Sequence, residues 1–317
     1  MINASRGYLR GLGLSEVKKS IADTGALDLV KRLSPHASYH SISPLVGGVS
    51  SNTYALQGVD ITGESLLWVI REHGLNYSGL PVEIEYALLG ALRGAGIKVP
   101  QPLLCDTSPR VSDYPFLVMT FVEGDSAIPP GEQQAYITRM ARQLWEIHQV
   151  CVDCLPGLPQ RLDPLPEVFD YLPEHSKWQG LRRQLEALDT PCYAKTPALL
   201  HGDFWPHNLL WQQGEIASVL DWEDAAVGDP ISDVAGASLE LRYRFGVMGA
   251  QQFIDAYAEL DRVDPFRLAL WQIYVAAAAA FFMGDWGLDA DREAHMRRET
   301  QDTIYTAAKI LSAGPLS

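Results

Sequence analysis

Three oxygen-bearing side chains lie within 19 residues of one segment, and their types suit a hard metal ion beside a proton acceptor. Asp203 follows His201-Gly202, Asn208 comes five residues later, and Asp221 ends a short apolar run. Carboxylate and amide oxygens are the ligands that magnesium prefers. A nearby carboxylate can also accept the proton of an attacking hydroxyl, which typically contributes ~10²–10⁴-fold in rate. The three residues are therefore candidates for metal-assisted group transfer.

The residues between Asn208 and Asp221 predict how these side chains come together. Two short strand-like runs flank Gln212-Gln213-Gly214-Glu215, which is the signal of a β-hairpin. A hairpin that turns near Gly214 places Asn208 and Asp221 across from each other, and the preceding loop brings Asp203 over the same point. In phosphoryl transfer the protein mainly positions groups and neutralises charge, while metal ions bridge phosphate oxygens. The segment therefore predicts a phosphotransfer site.

The order of these motifs resembles that of a known family. His-Gly-Asp-x₄-Asn is followed by Asp-Trp-Glu and then by Asp-Pro-x-x-Asp, a pattern similar to the aminoglycoside phosphotransferase and choline kinase superfamily. The resemblance covers residues 41–235 and is densest at 199–235. It implies a bilobal protein-kinase-like fold, with ATP as co-substrate and Mg²⁺ as cofactor. It also implies that Asp203 is the catalytic base and that Asn208 and Asp221 are the magnesium ligands.

The same resemblance assigns a nucleotide site in the first third of the chain. The turn at 46–52 occupies the place of the family's nucleotide loop, and Arg71 occupies that of the strand lysine that pairs with ATP phosphates. The expected helix partner of Arg71 is Glu85, with Glu83 as the alternative, because residues two apart on a helix face different ways. The segment Phe121-Val122 would bind the adenine edge. The predicted nucleotide-binding residues are Gly48, Ser50, Ser51, Asn52, Arg71, Glu85, Phe121 and Val122.

The elements that must position these residues divide into a β-rich N-terminal part and a helical C-terminal part. Strands are predicted at about 39–45, 53–56, 66–72, 99–105 and 116–121. Helices are predicted at about 81–93, 133–150, 168–188, 231–244, 250–260, 266–283 and 292–311. The predicted fold is α+β, with a small N-lobe of one sheet and one helix at 1–122 and a mostly helical C-lobe at 123–317. A cleft between the lobes is a favoured place for a ligand.

Candidate acceptor-binding residues lie after the metal ligands. Glu223 follows Asp221 closely, and Asp285 belongs to an acidic cluster between two late predicted helices. Trp286 could stack on a sugar or hold a cation over its ring face. Each also has a simpler interpretation, because acidic runs are usually solvated and tryptophans usually pack. Glu223, Asp285 and Trp286 therefore remain candidates for substrate contacts.

Composition limits the possible partners. Acidic residues outnumber basic ones by 39 to 25, giving a net charge of -14. This argues against nucleic acid, whose phosphates require a basic surface, and it is compatible with a cationic acceptor. The longest apolar run, near 273–283, is shorter than the ~20 residues of a membrane span and is predicted to be a buried Ala-rich helix. We expect a cytoplasmic monomer or homodimer without a membrane partner.

These observations give two hypotheses from different classes. The first is a small-molecule kinase that transfers the γ-phosphate of ATP to a hydroxyl. An aminoglycoside-like or amino-sugar acceptor is favoured, and choline, ethanolamine, homoserine or a sugar is the alternative. The second is a non-catalytic nucleotide-binding scaffold, motivated by Arg71 in the place of a lysine. The intact Asp203, Asn208 and Asp221 argue against a scaffold, which needs no base.

Overall fold

The computed structural model of the chain describes residues 21–45, 51–74, 77–172, 177–188 and 196–313. The strands are β1 Ser38–Pro44, β2 Asn52–Val59, β3 Ser65–Glu72, β4 Pro102–Asp106, β5 Phe116–Thr120, β6 Gln160–Arg161, β7 Ala198–Leu200, β8 Leu209–Gln212, β9 Glu215–Val219 and β10 Ala226–Gly228. The helices are α1 Asp23–Leu33, α2 Val82–Gly94, α3 Gln133–His148, α4 Leu165–Tyr171, α5 Gln179–Glu186, α6 Pro230–Ala258, α7 Pro265–Phe282 and α8 Ala290–Ala313. The predicted α+β class, with a sheet in the N-terminal part and mostly helices in the C-terminal part, is confirmed.

Five strands of the N-terminal part form one antiparallel sheet in the order β1-β2-β3-β5-β4. In the central strand β3, Arg71 pairs with Thr53 of β2 and Leu117 of β5. Successive side chains of a strand point to opposite faces. Ile70 therefore packs into the core on one face, while Arg71 emerges on the other, where Val69 contacts the larger core.

Helices cover both faces of this sheet. On one face, α1 buries Leu29 and Val30 in the core that includes Ile70. On the other, α2 buries Leu88 and Leu92 in the core that continues into the helical part. The sequence predicted α2 but not α1, so the expectation of one helix in this part was wrong. The eleven residues of α1 carry only a short apolar stripe and stand alone before the first strand, which makes the helical period hard to recognise.

The helical part is organised around α7, whose neighbours include α4, α6 and α8. Among the described residues, the segment Pro265–Asp285 is long and apolar enough to span a membrane, with a mean hydropathy of 1.5. However, 67% of that window is buried inside the protein, and Trp271 and Ile273 are fully enclosed. The predicted buried Ala-rich helix is therefore confirmed.

Two predicted helical regions differ from the observed elements. The predicted helix at 168–188 is two short helices, α4 and α5, with residues 173–176 between them outside the described ranges. The predicted helices at 231–244 and 250–260 belong to one element, α6, which is kinked where Gly246 has a φ of 70°. Only glycine adopts such a φ readily. The helix α6 begins at Pro230, one residue before the predicted start, and the Asp229 side chain caps it by accepting a hydrogen bond from the Ile231 N–H.

A second, three-stranded sheet joins distant parts of the chain in the order β6-β10-β7. Strand β10 pairs in parallel with β6 and antiparallel with β7. At Gly228 of β10, an added Cβ would lie 1.9 Å from the Arg161 carbonyl oxygen, so the close approach of β6 requires glycine. This sheet fixes Arg161 near the loop that follows β7. The predicted division of the chain at 122/123 stays a prediction.

Candidate active site

The predicted hairpin forms from β8 and β9, with Leu209 opposite Val219. Its turn contains Gln213 and Gly214, which have φ values of 53° and 80°. Beyond the paired strands, the Leu220 N–H donates to the carbonyl oxygen of Asn208 at 2.8 Å. Asn208 and the residue after Leu220, Asp221, therefore lie at the same end of the hairpin, as the spacing predicted.

The loop that carries Asp203 is anchored by a buried carboxylate of α6. Asp233 accepts hydrogen bonds from the His201 N–H at 2.7 Å and from the Gly202 N–H at 3.0 Å. His201 is fully buried, and its Nε2 lies 2.9 Å from the Leu220 carbonyl oxygen. His201 thus packs beneath the loop and connects it to the hairpin.

Gly202 allows this loop to approach the following segment closely. Its φ is 85°, and an added Cβ would lie 2.1 Å from the carbonyl oxygen of Asp224. Both the left-handed backbone and the contact exclude a side chain. Gly202 therefore sets the position of Asp203 through the backbone.

Asn208 connects directly to Asp203. Its Nδ2 donates to the Asp203 carbonyl oxygen at 2.8 Å and to the Asp203 Oδ2 at 3.0 Å. This leaves the Oδ1 of Asn208 on the other side of its amide group, as an acceptor without a proton. Burial raises the pKa of Asp203, and the carboxylates of Asp224 and Asp221 raise it further.

Arg71 links the central strand to the other end of the site. Its Nη1 donates to Glu85 at 3.0 Å and its Nη2 donates to Asp221 at 2.7 Å and to Glu223. Burial opposes the charge of Arg71, but these three carboxylates raise its pKa overall. Glu85 rather than Glu83 is the helix partner, so the predicted pairing of Arg71 is observed.

The other predicted nucleotide residues lie near Arg71 or at the exit of the sheet. Ser51 accepts from the Arg71 Nε at 3.1 Å, and Asn52 donates to the side chain of Glu72 at 2.9 Å. Phe121 is exposed and Val122 half-buried, directly after β5. The predicted contacts Gly48 and Ser50 lie outside the described residues. The roles of all these residues in binding a nucleotide stay predictions.

A cavity opens beside Asp203, and we call it the Asp203 cavity. It lies against α6 and α7, and Trp286 forms part of its wall. Glu223 is buried against Arg71 and lines a neighbouring cavity instead. Asp285 is exposed and does not line the Asp203 cavity, although it precedes Trp286 directly. Of the three predicted substrate residues, the structure therefore brings only Trp286 to the cavity beside Asp203.

Two charged residues of this cavity, Arg161 and Glu240, were not identified from the sequence. Burial and then the carboxylate of Asp203 raise the pKa of Glu240 to about 8. A signal for Glu240 was available, because it follows Asp233 and Gly236 at spacings that place all three on one face of a helix. No comparable pattern in the sequence indicates Arg161, because its strand β6 has only two residues.

The described donors can be compared with the magnesium ion that the family resemblance implies. Asn208 Oδ1 and the Asp221 carboxylate are hard oxygen donors at one end of the hairpin. Among the described residues, no group of three or more His, Cys, Asp or Glu side chains forms a metal site by itself. Mg²⁺ commonly takes one or two carboxylates from the protein and completes its shell with water and phosphate oxygens. The donor set therefore fits magnesium bound together with a nucleotide.

Several known proteins are similar to this chain in sequence. Aminoglycoside 3'-phosphotransferase of Streptomyces fradiae is 25% identical over 265 residues, which cover 77% of this chain and 96% of that protein. Acyl-CoA dehydrogenase family member 10 of Mus musculus is 30% identical over 182 residues, which cover 50% of this chain. The chain spans only 16% to 35% of the length of that protein and of two similar acyl-CoA dehydrogenase family members.

Solved structures show the same fold. Choline kinase LicA from Streptococcus pneumoniae superposes with a TM-score of 0.62 at 17% identity, covering 90% of this chain and 99% of that one. A thermostable mutant of aminoglycoside phosphotransferase APH(4)-Ia, in ternary complex with AMP-PNP and hygromycin B, gives 0.59 at 14% identity, covering 90% and 98%. The predicted protein-kinase-like fold is therefore confirmed.

Residues 41–270 match the phosphotransferase enzyme family. This range contains the sheet with Arg71, the hairpin with Asn208 and Asp221, and the loop with Asp203. The predicted phosphotransferase class is thereby confirmed, and the chain belongs to the phosphotransferase enzyme family.

Proposed function

We propose that the protein is a kinase that transfers the γ-phosphate of ATP to a hydroxyl group of a small-molecule acceptor. The observation that carries this proposal is the hydrogen bond between Asn208 and Asp203 in the wall of a cavity, with Asp221 at the same end of the hairpin. One carboxylate thus faces the space for an acceptor, while an amide oxygen and a second carboxylate remain for a metal. Phosphoryl transfer requires both a group that accepts the proton of the nucleophile and ligands that hold the metal ion.

Each residue has a defined task in this reaction. Asp203 accepts the proton of the acceptor hydroxyl, and its raised pKa brings its basicity closer to neutral pH, where general bases work best. Asn208 and Asp221 would hold Mg²⁺, which neutralises phosphate charge when bound. Arg71, held by Glu85, provides a permanent cation for the phosphates. Because Arg71 also pairs with Asp221, the phosphate-binding cation and the metal ligand are positioned together.

ATP as the co-substrate is supported by related structures. Aminoglycoside phosphotransferase APH(4)-Ia variants are described in complexes with AMP-PNP and with ADP, each with hygromycin B. Both superpose on this chain over about nine tenths of its length. In this chain, Phe121 and Val122 follow β5 and would present backbone groups to adenine.

The acceptor can be narrowed to two classes. Names of relatives, such as aminoglycoside 3'-phosphotransferase and viomycin phosphotransferase, and the net charge of -14 support an amino-sugar or aminoglycoside-like acceptor. The Asp203 cavity supports a less polar acceptor, because much of its wall consists of apolar side chains, which come mainly from α7. Both classes offer the hydroxyl that Asp203 requires.

A coupled ADP-release assay over amino sugars, amino alcohols, simple sugars and hydroxy acids tests the proposal. We expect magnesium-dependent ADP release with at least one acceptor, and a loss of about 10²–10⁴-fold in Asp203→Asn with ATP affinity near normal. Asp285→Asn is the matched control, because it makes the same change at an exposed site outside the cavity. If Asp203→Asn keeps full turnover, Asp203 is not the base. If no acceptor supports ADP release, the scaffold hypothesis replaces the kinase.

A further inference from the structure

The Asp203 cavity has an unusual wall for an enzyme that would phosphorylate a polyol. Its apolar lining residues include Leu239, Trp271, Val275, Ala278 and Phe282. A hydroxyl placed against such a wall loses its bonds to water without replacement, which costs about 1–3 kcal/mol on scales from protein mutants. The wall therefore suits an acceptor whose body is largely hydrocarbon or aromatic.

Arg161 is the one cation among the described residues that line this cavity. Its backbone is fixed in the three-stranded sheet, because the Asp229 N–H donates to the Arg161 carbonyl oxygen at 2.9 Å and Gly228 packs against it. Arg161 also lines the neighbouring cavity that contains Glu223. Arg161 thus reaches the space for an acceptor from a rigid element.

The guanidinium of Arg161 has no bonded partner within the part of the chain that the structure describes. Its electrostatic influence extends to Asp224 and Tyr274, yet no carboxylate oxygen of a described residue lies within the 4.0 Å of an ion pair. Arg267, by contrast, has bonded partners. Its guanidinium donates to Asp229 and to the Leu162 carbonyl oxygen, so its role is structural.

Glu240 does not compensate the charge of Arg161. It makes no hydrogen bond or ion pair among the described residues. Because burial and Asp203 raise the pKa of Glu240 to about 8, most of this carboxyl is protonated at neutral pH. Among the described residues, the cavity therefore contains a cation without a bonded partner, a neutral acid and the base. The rest of its wall is mostly apolar, apart from Ser232 and from Asp233, whose carboxylate is bonded to the Asp203 loop.

We propose that Arg161 binds an acidic group of the acceptor, so that the substrate is a hydroxylated acid with a hydrocarbon or aromatic body. A guanidinium presents a planar pair of N–H donors that matches a carboxylate. The body of the acceptor packs on Trp271 and Phe282, and its hydroxyl lies at Asp203. This assignment rests on the kinase function proposed above and specifies its acceptor.

Binding measured without turnover separates this inference from the kinase function. Quenching of Trp271 and Trp286 fluorescence reports occupancy of the cavity, because both indoles are in its wall. Matched probes are hydroxyhexanoate with hexanediol, and hydroxymethylbenzoate with benzenedimethanol, which differ only in the acidic group. In the wild type, each acid should bind about tenfold or more tightly than its diol, since hydrogen bonds to charged groups are among the stronger ones.

Variants identify the group responsible. Arg161→Gln should remove the preference for the acid and leave diol binding unchanged, while Arg161→Lys should keep part of it. Arg110→Gln, at an exposed position away from the cavity, is the control and should behave as wild type. Equal binding of acid and diol by the wild type, a preference that persists in Arg161→Gln, or no binding of any of the four probes would each overturn the assignment.

The two proposals can fail separately. ADP release with an amino sugar, together with equal binding of acids and diols, would retain the kinase and reject the acidic acceptor. Acid binding that depends on Arg161, without ADP release from any acceptor, would reject the kinase function itself. If both proposals hold, a hydroxy acid should support ADP release, and Arg161→Gln should raise its KM much more than it lowers kcat.

Discussion

In the region around Asp203, Asn208 and Asp221, polar groups are bonded to one another at short range. The adjoining Asp203 cavity is largely apolar, and among the described residues it contains two titratable side chains, Arg161 and Glu240, without bonded partners. Asn208 is bonded to Asp203, and Asp221 to Arg71. Arg161 and Glu240 make no such bonds among the described residues. Preorganised dipoles stabilise charge that develops in a reaction. A charged group without a bonded partner in a largely apolar cavity is costly, and a ligand of opposite charge would offset that cost.

The difference assigns separate tasks to the two regions. The bonded region is fixed before any substrate arrives, so changes there should damage the fold as well as the reaction. Arg161 and Glu240 make no bonds that hold the described part of the cavity together, so changes at these two residues should alter binding and pH dependence with little loss of stability. Substitutions in each region can test this contrast.

Arg71→Gln should have the largest effect on stability. It leaves the buried carboxylates of Glu85 and Glu223 without their cation, and removal of one partner from a buried ion pair costs about 3–5 kcal/mol. Urea unfolding measures this loss, and the KM for ATP should rise in the same variant. Arg139→Gln is the control, because the exposed Arg139–Glu215 pair should be worth only about 0–1 kcal/mol. Equal losses of unfolding free energy in the two variants would show that the pairs of Arg71 with Glu85 and Glu223 do not stabilise the fold.

Gly202→Ala should cost less, but more than the same change at Gly214. Both glycines have φ values of 80–85°, and only at Gly202 would the new Cβ meet a neighbouring atom, the Asp224 carbonyl oxygen at 2.1 Å. Gly214→Ala should therefore show only the backbone strain of about 1–2 kcal/mol. Thermal unfolding compares the two. A similar melting temperature and activity in both variants would show that close packing of the loop does not position Asp203.

Glu240→Gln should change how stability depends on pH. The folded pKa of Glu240, about 8, is above its ordinary value of 4.5, so the folded state retains a proton that the unfolded state releases. The contribution of this group to stability is thus complete below pH 4.5 and is lost as the pH rises towards 8. The stability of Glu240→Gln relative to wild type should therefore increase across this window in urea unfolding at several pH values. A constant difference between the two proteins would contradict a buried, neutral Glu240.

Asp285→Asn should have the smallest effect. The side chain is exposed and lies outside the cavity, and substitutions at such positions usually change stability by no more than about 0.5 kcal/mol. Its KM for any acceptor found in the ADP-release assay should equal that of wild type. A marked rise in KM would restore Asp285 as a substrate residue and would extend the site beyond the cavity described above.

The contrast between the two regions also explains what could be predicted from the sequence. The hairpin and the loop at 203–221 are local, and their geometry follows from turn residues and spacing. The pairing of Arg71 with Glu85 spans 14 residues and followed from the family resemblance. The sheet and the main helices were predicted from periodicity. However, α1 was not predicted, and the single helix predicted at 168–188 is two helices in the structure, α4 and α5.

The cavity could not be predicted in the same way because long-range packing assembles it. Arg161 comes from a two-residue strand whose position depends on β10, and no local pattern indicates such a pairing. Glu240 is 37 residues beyond Asp203 on a different element. Trp286 and Asp285 are neighbours in the sequence, but they lie at the end of a 3₁₀ turn, where successive residues point about 120° apart. Only Trp286 therefore faces the cavity.

The central claim is that Asp203 acts as the base while Asn208 and Asp221 hold the metal, and calorimetric titration of ATP with and without Mg²⁺ tests it most directly. We expect Asp203→Asn to bind MgATP as wild type does, although it does not turn over. Asn208→Ala and Asp221→Asn should lose most of the gain in affinity that Mg²⁺ provides. If instead Asp203→Asn loses the magnesium dependence and Asp221→Asn retains it, the assignment of base and metal ligands is wrong.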